Sequence, residues 1–313
     1  MKRGVLFDMK RGVAMPGVKN QHYVPRFYLR SFTDDTGHLY AVRRDASGLG
    51  TVFRAKPERI CVEKYLYEVK RRMSEGNDGF IEKGAIEVAL GKIENKLAPV
   101  YQSLLGYLDS EKLPNGEELV DLITQLAALV ASLIVRNPIW LKRVRDSACV
   151  RSAGRLTSVL FTDEDIARME SEGYRNEIEA IVELAFLDTT LLRCYKGTPI
   201  YNLLIILLDM DCRFCIAPEG SEFITTSLPV YVAWKDEHDE KPFSCYFPLS
   251  PRYAVVFKHR AEKERCVYTT VLLAGAVDSL NRTLMNCNGA WEFLIARDQP
   301  YLNRLIQDHC GAL

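Results

Sequence analysis

The sequence predicts an α+β fold: a central helical region flanked by short N-terminal strands and a C-terminal, mainly antiparallel sheet, with closing helices at the C-terminus. Three observations predict it. Short strand-like runs separated by Gly- and Ser-containing turns fill the stretch before Phe80. From Phe80 to Leu208 apolar residues recur every three or four positions, the helical period. After Asp211 short β-branched and aromatic runs return, bounded by Pro, Gly and Ser.

Taken in order, residues 1–18 read as an extension in which Met1-Lys2-Arg3-Gly4-Val5 is nearly echoed by Met9-Lys10-Arg11-Gly12-Val13. Residues 19–313 carry no repeat and no low-complexity linker, so they read as a single composite α+β domain. The stretch Asn20 to Phe32 gathers His22, Arg26, Arg30, Pro25 and the rings of Tyr23, Phe27, Tyr28 and Phe32. As a helix from Pro25, it stacks Val24, Phe27, Tyr28 and Phe32 on one stripe. As a strand, it puts Tyr23, Phe27 and Leu29 on one face. Both geometries place Arg26 and Arg30 together on the other side. Strands are expected at His38 to Arg43 and Thr51 to Phe53 around an Asp45-to-Gly50 turn, and Tyr65 to Val69 follows.

Ile86, Leu90, Ile93, Leu97, Val100, Tyr101 and Leu104 define a long amphipathic helix ending near Leu108. Pro114-Asn115-Gly116 turns the chain into a second helix, Glu117 to Val135, which Pro138 ends or kinks before a basic helix. Thr162 and Asp165 resemble a capping box opening a helix at Asp163 that continues, whole or interrupted at Gly173, towards Tyr195. Thr198-Pro199 opens an apolar helix to Leu208. Strands are expected at Arg213 to Ala217, Glu222 to Thr226, Val230 to Trp234, Ser244 to Phe247, Tyr253 to His259 and Cys266 to Leu273. A helical pattern then runs from Asp278 to Ala296, and Pro300 starts a last helix that Gly311 stops. The N-terminal strands are expected to join the C-terminal sheet.

Composition narrows the function classes. Lys plus Arg and Asp plus Glu number 41 each, so no overall field draws the chain to nucleic acid or membrane, and only local basic patches remain. Nine cysteines without framework spacing or a signal-peptide pattern read as reduced thiols of a cytoplasmic protein. The strongest apolar run, Leu126 to Val135, is shorter than the roughly 20 residues a bilayer span needs, so no membrane partner is expected.

His22-Tyr23-Val24-Pro25-x-Phe27-x-Leu29-x-x-Phe32 resembles the signature of a bacterial family known as domain of unknown function four-two-three-eight. Tyr65 and Tyr67, Arg136-Asn137-Pro138, Phe223 to Val230, Phe247 to Pro251, and Asn281 with Ala290 follow in that family's order. The resemblance covers about Lys19 to Arg297. In the strand motif the family pattern reads Thr-Ser-Asp-Asn-Pro-Val, whereas Ser227 and Leu228 stand here for the Asp-Asn pair. Where that aspartate is a ligand or base, this chain lacks it. The resemblance implies a fold and candidate positions, and no activity.

His22 leads the candidate catalytic residues. Just ahead of a helix start, its ring is held neutral and able to accept a proton. Arg26, Arg30 and Arg136, with the strand-end hydroxyls of Thr225, Thr226 and Ser227, are the candidate ligand-binding residues, since guanidinium forks clamp phosphate or carboxylate. General base plus anion clamp suits a metal-independent hydrolase or nuclease-like effector acting on a phosphate-bearing ligand, with a nucleotide or nucleic acid as partner. The alternative is a non-catalytic binding or interaction module in which this stretch is structural, its arginines paired with helix glutamates. Arg136 equally reads as a helix cap. Glu87 and Glu94, two turns apart, read as a solvated face before a metal or arginine site. Cys212-x-x-Cys215 points to opposite strand faces and reads as packing, and Ser227 and Ser250 lack a nucleophile elbow. No phosphate loop, zincin motif or dinucleotide fingerprint occurs, so neither metal nor cofactor is expected. The clusters Arg43-Arg44, Lys70-Arg71-Arg72 and Lys142-Arg143 with Arg145 read as solvated surface.

Overall fold

The computed structural model describes residues 19–45, 48–70, 79–146, 162–171, 178–233, 244–260, 264–286 and 291–310. The N-terminal extension, Arg71, Arg72, Gly173, Trp234, Ala290 and Gly311 lie outside the described residues.

The opening stretch is strand and helix in succession. Strand β1 (Asn20–His22) pairs antiparallel with β5 (Val62–Lys64), His22 opposite Val62. Proline 25 then caps a single turn of helix, α1 (Arg26–Leu29), which tightens into a 3₁₀ turn at Arg30–Phe32. Two longer helices follow as expected, α2 (Ala85–Asp109) and α3 (Gly116–Val135). Asn137 Oδ1 accepts from the Ile139 and Trp140 backbone N–H groups and so caps α4 (Pro138–Asp146), with Pro138 at the tolerated first position. Thr162 and Asp165 form the reciprocal capping box at the head of α5 (Asp163–Ser171). Helices α6 (Ile178–Leu192) and α7 (Pro199–Leu208) complete the helical block. By length and composition α3 could cross a membrane, but it packs against α2, α6 and α7, and most of its central residues are buried.

Two sheets stand beside this block. One orders β10 (Tyr231–Ala233), β11 (Ser244–Pro248), β12 (Tyr253–Lys258), β8 (Asp211–Ile216) and β13 (Val267–Val271); all pairs are antiparallel except β8 with β13. The other orders β3 (Gly48–Leu49), β2 (Leu39–Asp45), β14 (Phe293–Ala296) and β9 (Thr225–Thr226), with β4 (Phe53–Ala55) also on β2. An N-terminal strand does join C-terminal ones, as Ala41 opposite Ile295 shows. Two small strands, β6 (Val69–Lys70) and β7 (Phe80–Ile81), pair beside the helices.

The inner strands of both sheets are covered on both faces. Along β14, Phe293 and Ile295 face the core of the helical block, while Leu294 and Ala296 face a second cluster with Trp291, Met285, Tyr301 and Leu305. Helices α8 (Ala274–Met285) and α9 (Gln299–Cys310) supply that cover. This corrects the helical reading to Ala296: α8 ends at Met285 and Phe293–Ala296 is a strand. Four consecutive apolar residues carry no period of two when both faces are buried. The expected strand from Glu222 shrinks to Thr225–Thr226, because the Ile224 N–H bonds Asn281 Oδ1 of α8 instead of a neighbouring strand. Cys212 packs into the helix-side core and Cys215 into the opposite cluster; both are free and buried.

Candidate functional site

The site is built where β1 and α1 meet the helical block. Burying Tyr23, Val24, Tyr28, Leu29 and Phe32 fixes the stretch by its apolar faces. Buried hydroxyls add direction. Tyr28 Oη bonds Thr225 Oγ1 at 2.6 Å and the Pro248 carbonyl at 2.9 Å, and its ring stacks on Phe247 at 5.0 Å. Tyr23 Oη donates to Glu292 at 3.3 Å. Gln21 is fully enclosed, donating to Glu68 and accepting from the Tyr67 N–H. Each bond joins the stretch to a segment far along the chain.

The grip on His22 comes from its backbone. Arg136 Nη2 and Tyr67 Oη both donate to the His22 carbonyl, at 2.7 and 3.1 Å. Arg136 follows the last turn of α3, is 2% exposed, and pairs through Nη1 with Glu94 at 2.7 Å. Burial opposes its charge, but Tyr67 and Glu94 outweigh that and raise its pKa. The Arg136 side chain thus caps no carbonyl of α3 and opens on no cleft; from the helix end it reaches the His22 main chain.

The ring of His22 is a separate matter. Burial and then the Arg26 guanidinium lower its pKa, so it is neutral near pH 7. A hydrogen bond to the Glu58 backbone acts the other way, and Nε2 is buried with no partner. A ring that donates to that carbonyl through Nδ1 keeps the Nε2 lone pair free. Glu87, on the first turn of α2, holds a second unpartnered atom: burial, opposed by Arg136 and by a hydrogen bond from the His22 backbone, lifts its carboxyl to about 7, and Oε2 has no partner. Glu87 and Glu94 thus face the site and not solvent. Sequence spacing placed them on one face without saying which face it was.

Arg26 and Arg30 stay on the outside. Arg30 pairs with Glu58 at 3.2 Å in an exposed bridge and borders a cleft of about 530 Å³ with Asp109, Ser250, Arg252, Tyr253 and Arg297. Arg26 is exposed, has no hydrogen bond or ion pair among the described residues, and influences His22, Glu58 and Glu87 together. The strand-end hydroxyls are elsewhere engaged. Thr225 holds Tyr28, Thr226 closes its own turn onto Leu228, and Ser227 Oγ accepts from the Glu292 and Phe293 N–H groups. The structure therefore brings His22, Arg26 and Arg136 together, puts Arg30 across Glu58, and keeps Thr225, Thr226 and Ser227 in the core. Ser250 likewise accepts from the Tyr253 N–H in a turn. Tyr67 and Glu58 were not singled out from sequence as site residues, and Glu87 was read first as solvated; their partners lie too far along the chain for spacing to signal.

Strain marks the same place. Cys61 and Tyr65, which bracket β5, hold φ of 53° and 58°, a region that non-glycine residues rarely adopt. Among the described residues no group of three or more His, Cys, Asp or Glu is arranged to hold a metal ion. A family model described as "Protein of unknown function (DUF4238)" matches residues 20–300. No curated protein and no solved structure matches the chain.

Proposed function

For a chain that belongs to the DUF4238 family of proteins of unknown function, we propose a metal-independent hydrolase or nuclease-like activity on a phosphate-bearing ligand. It would act in the cytoplasm, through the group formed by His22, Glu87 and Arg26. One observation carries the reading. A neutral histidine with an unpartnered Nε2 and a carboxyl that titrates at about 7 sit beside an arginine with no partner among the described residues. Native interiors rarely leave polar atoms unpaired, and perturbed acid–base pairs concentrate at functional sites.

In the proposed step, His22 Nε2 takes a proton from an attacking water as its oxygen bonds to phosphorus. The bond to the leaving oxygen breaks, and that oxygen takes the proton from Glu87. Arg26 stabilises the equatorial charge. Arg136 does not meet the ligand. It is a positioning residue, holding His22 by the carbonyl. Ser227 in place of the family aspartate suits a mechanism without a strand-end carboxylate.

A specific observation favours a second reading, a non-catalytic ligand-binding or interaction module. Tyr23, Tyr28, Gln21 and the His22 carbonyl all tie distant segments together, which is structural work. Turnover of bis(p-nitrophenyl) phosphate separates the two. Loss of turnover in His22→Gln and Arg26→Ala with unchanged melting supports catalysis, and no turnover by the wild-type protein leaves the second reading.

A further inference from the structure

A cleft on side chains other than His22, Glu87 and Arg26 opens at the edge of the sheet formed by β2 and β4. Its volume is about 740 Å³, and its lining includes His38, Arg43, Phe53, Arg54, Lys56 and Arg59. No acidic side chain lines it among the described residues. The carboxylates nearby are already held: Asp34 by Arg54 at 2.9 Å, Glu292 by Arg43 at 2.8 Å, and Glu58 by Arg30. Lys56 and Arg59 are exposed and have no partner among the described residues. In a chain whose net charge is zero, this is a local concentration of cations.

An aromatic platform stands among them. Phe53 lies on β4 and is 38% exposed, although it is a large apolar side chain on an edge strand. Phe293 meets it edge-on, with centroids 6.4 Å apart and planes at 73°, and Arg43 lies 5.8 Å from the Phe293 centroid. An exposed ring ringed by cations suits a ligand with a flat apolar face and phosphates at its margin.

We propose that this cleft binds a nucleotide unit, its base stacked on Phe53 and its phosphates held by Lys56 and Arg59, with Arg43 beside them. The unit could arrive as a free nucleotide or within a single strand, and competition distinguishes the two. The proposal stands whether or not His22 is catalytic.

The test is fluorescence anisotropy of the full chain with a labelled oligothymidylate at low salt. Expected is saturable binding that Phe53→Ala weakens about tenfold. Lys56→Glu with Arg59→Glu abolishes it, and the single reversal Lys56→Glu shallows the dependence on log salt by about 0.7. Exposed Lys96 on α2 supplies the control, Lys96→Glu, and melting curves confirm that each variant is folded. Displacement by ATP assigns the site to free nucleotides; displacement only by unlabelled oligonucleotide assigns it to strands. The proposal is overturned if the wild-type protein binds neither the labelled oligothymidylate nor a labelled ATP measured in the same way. It is equally overturned if the double reversal still binds, or if Lys96→Glu weakens binding as much as Phe53→Ala.

Discussion

Replacing Arg136 by methionine removes a guanidinium that makes bonds of 2.7 Å to Glu94, 2.7 Å to the His22 carbonyl and 3.3 Å to Tyr67 Oη. Methionine fills the stem's space and leaves the charge of Glu94 without its partner. Breaking a buried ion pair from one side costs about 3–5 kcal/mol. Two facts put this case at the low end: the Glu94 side chain is 22% exposed and regains some water, and the His22 carbonyl keeps its bond from Tyr67 at 3.1 Å. The expected loss is therefore about 3 kcal/mol in urea unfolding, a large share of the roughly 5–15 kcal/mol that holds a native protein together. Adding Glu94→Gln removes the stranded charge. The loss in the double variant should fall short of the sum of the two single losses by about 1 kcal/mol or more. A loss under about 1 kcal/mol for Arg136→Met, or strict additivity, would refute the claim that this arginine locks β1 to the helical block.

Three further outcomes are expected. Tyr28→Phe strands Thr225 Oγ1 and the Pro248 carbonyl in the core and should cost about 1–3 kcal/mol in the same urea assay. Glu87 titrates at about 7 in the fold against an ordinary 4.5, so the folded chain holds that proton more tightly than the unfolded one. Its ionisation thus costs stability as pH rises from 4.5, fully so above about 7. Glu87→Gln should gain on the wild-type protein across that window, while lowered His22 acts oppositely, destabilising the fold as pH drops below 6.5. Equal pH profiles would refute the assignment. Finally, Cys194 and Cys266 should react with a thiol reagent in the folded protein, whereas Cys61, Cys212, Cys215 and Cys245 should react only on unfolding. Single Cys→Ser variants identify each thiol.

The helix starts near Asp163 and Glu117 were legible because their signals are local. The Thr162–Asp165 box and the Pro114-Asn115-Gly116 turn act within a few residues, and the fold uses them as written. The apolar run Phe293-Leu294-Ile295-Ala296 was not legible as a strand, since burial on both faces erases the alternation that marks one. The candidate site was half legible. His22, Arg26 and Arg136 stood out as polar groups in apolar company, and they do converge. The shared face of Arg26 and Arg30 meets Glu58, so only Arg26 remains uncommitted. The hydroxyls of Thr225 to Ser227 lie at a strand end, as a site would, yet their lone pairs and protons are taken by Tyr28, Leu228 and the β14 backbone. Sequence position cannot distinguish a hydroxyl aimed at solvent from one aimed at a core tyrosine.

One short stretch is proposed to do two jobs: its tyrosines and main chain tie the fold together, while the His22 ring and Arg26 meet an anion. NMR titration of the histidine rings with inorganic pyrophosphate tests this most directly. His22 is assigned through His22→Gln, and His38 reports the basic cleft separately. Expected are a saturable shift of the His22 ring and a rise in its pKa as the anion binds. Both are lost in a folded Arg26→Ala variant. A His22 ring indifferent to pyrophosphate, or one that responds equally without Arg26, would contradict it.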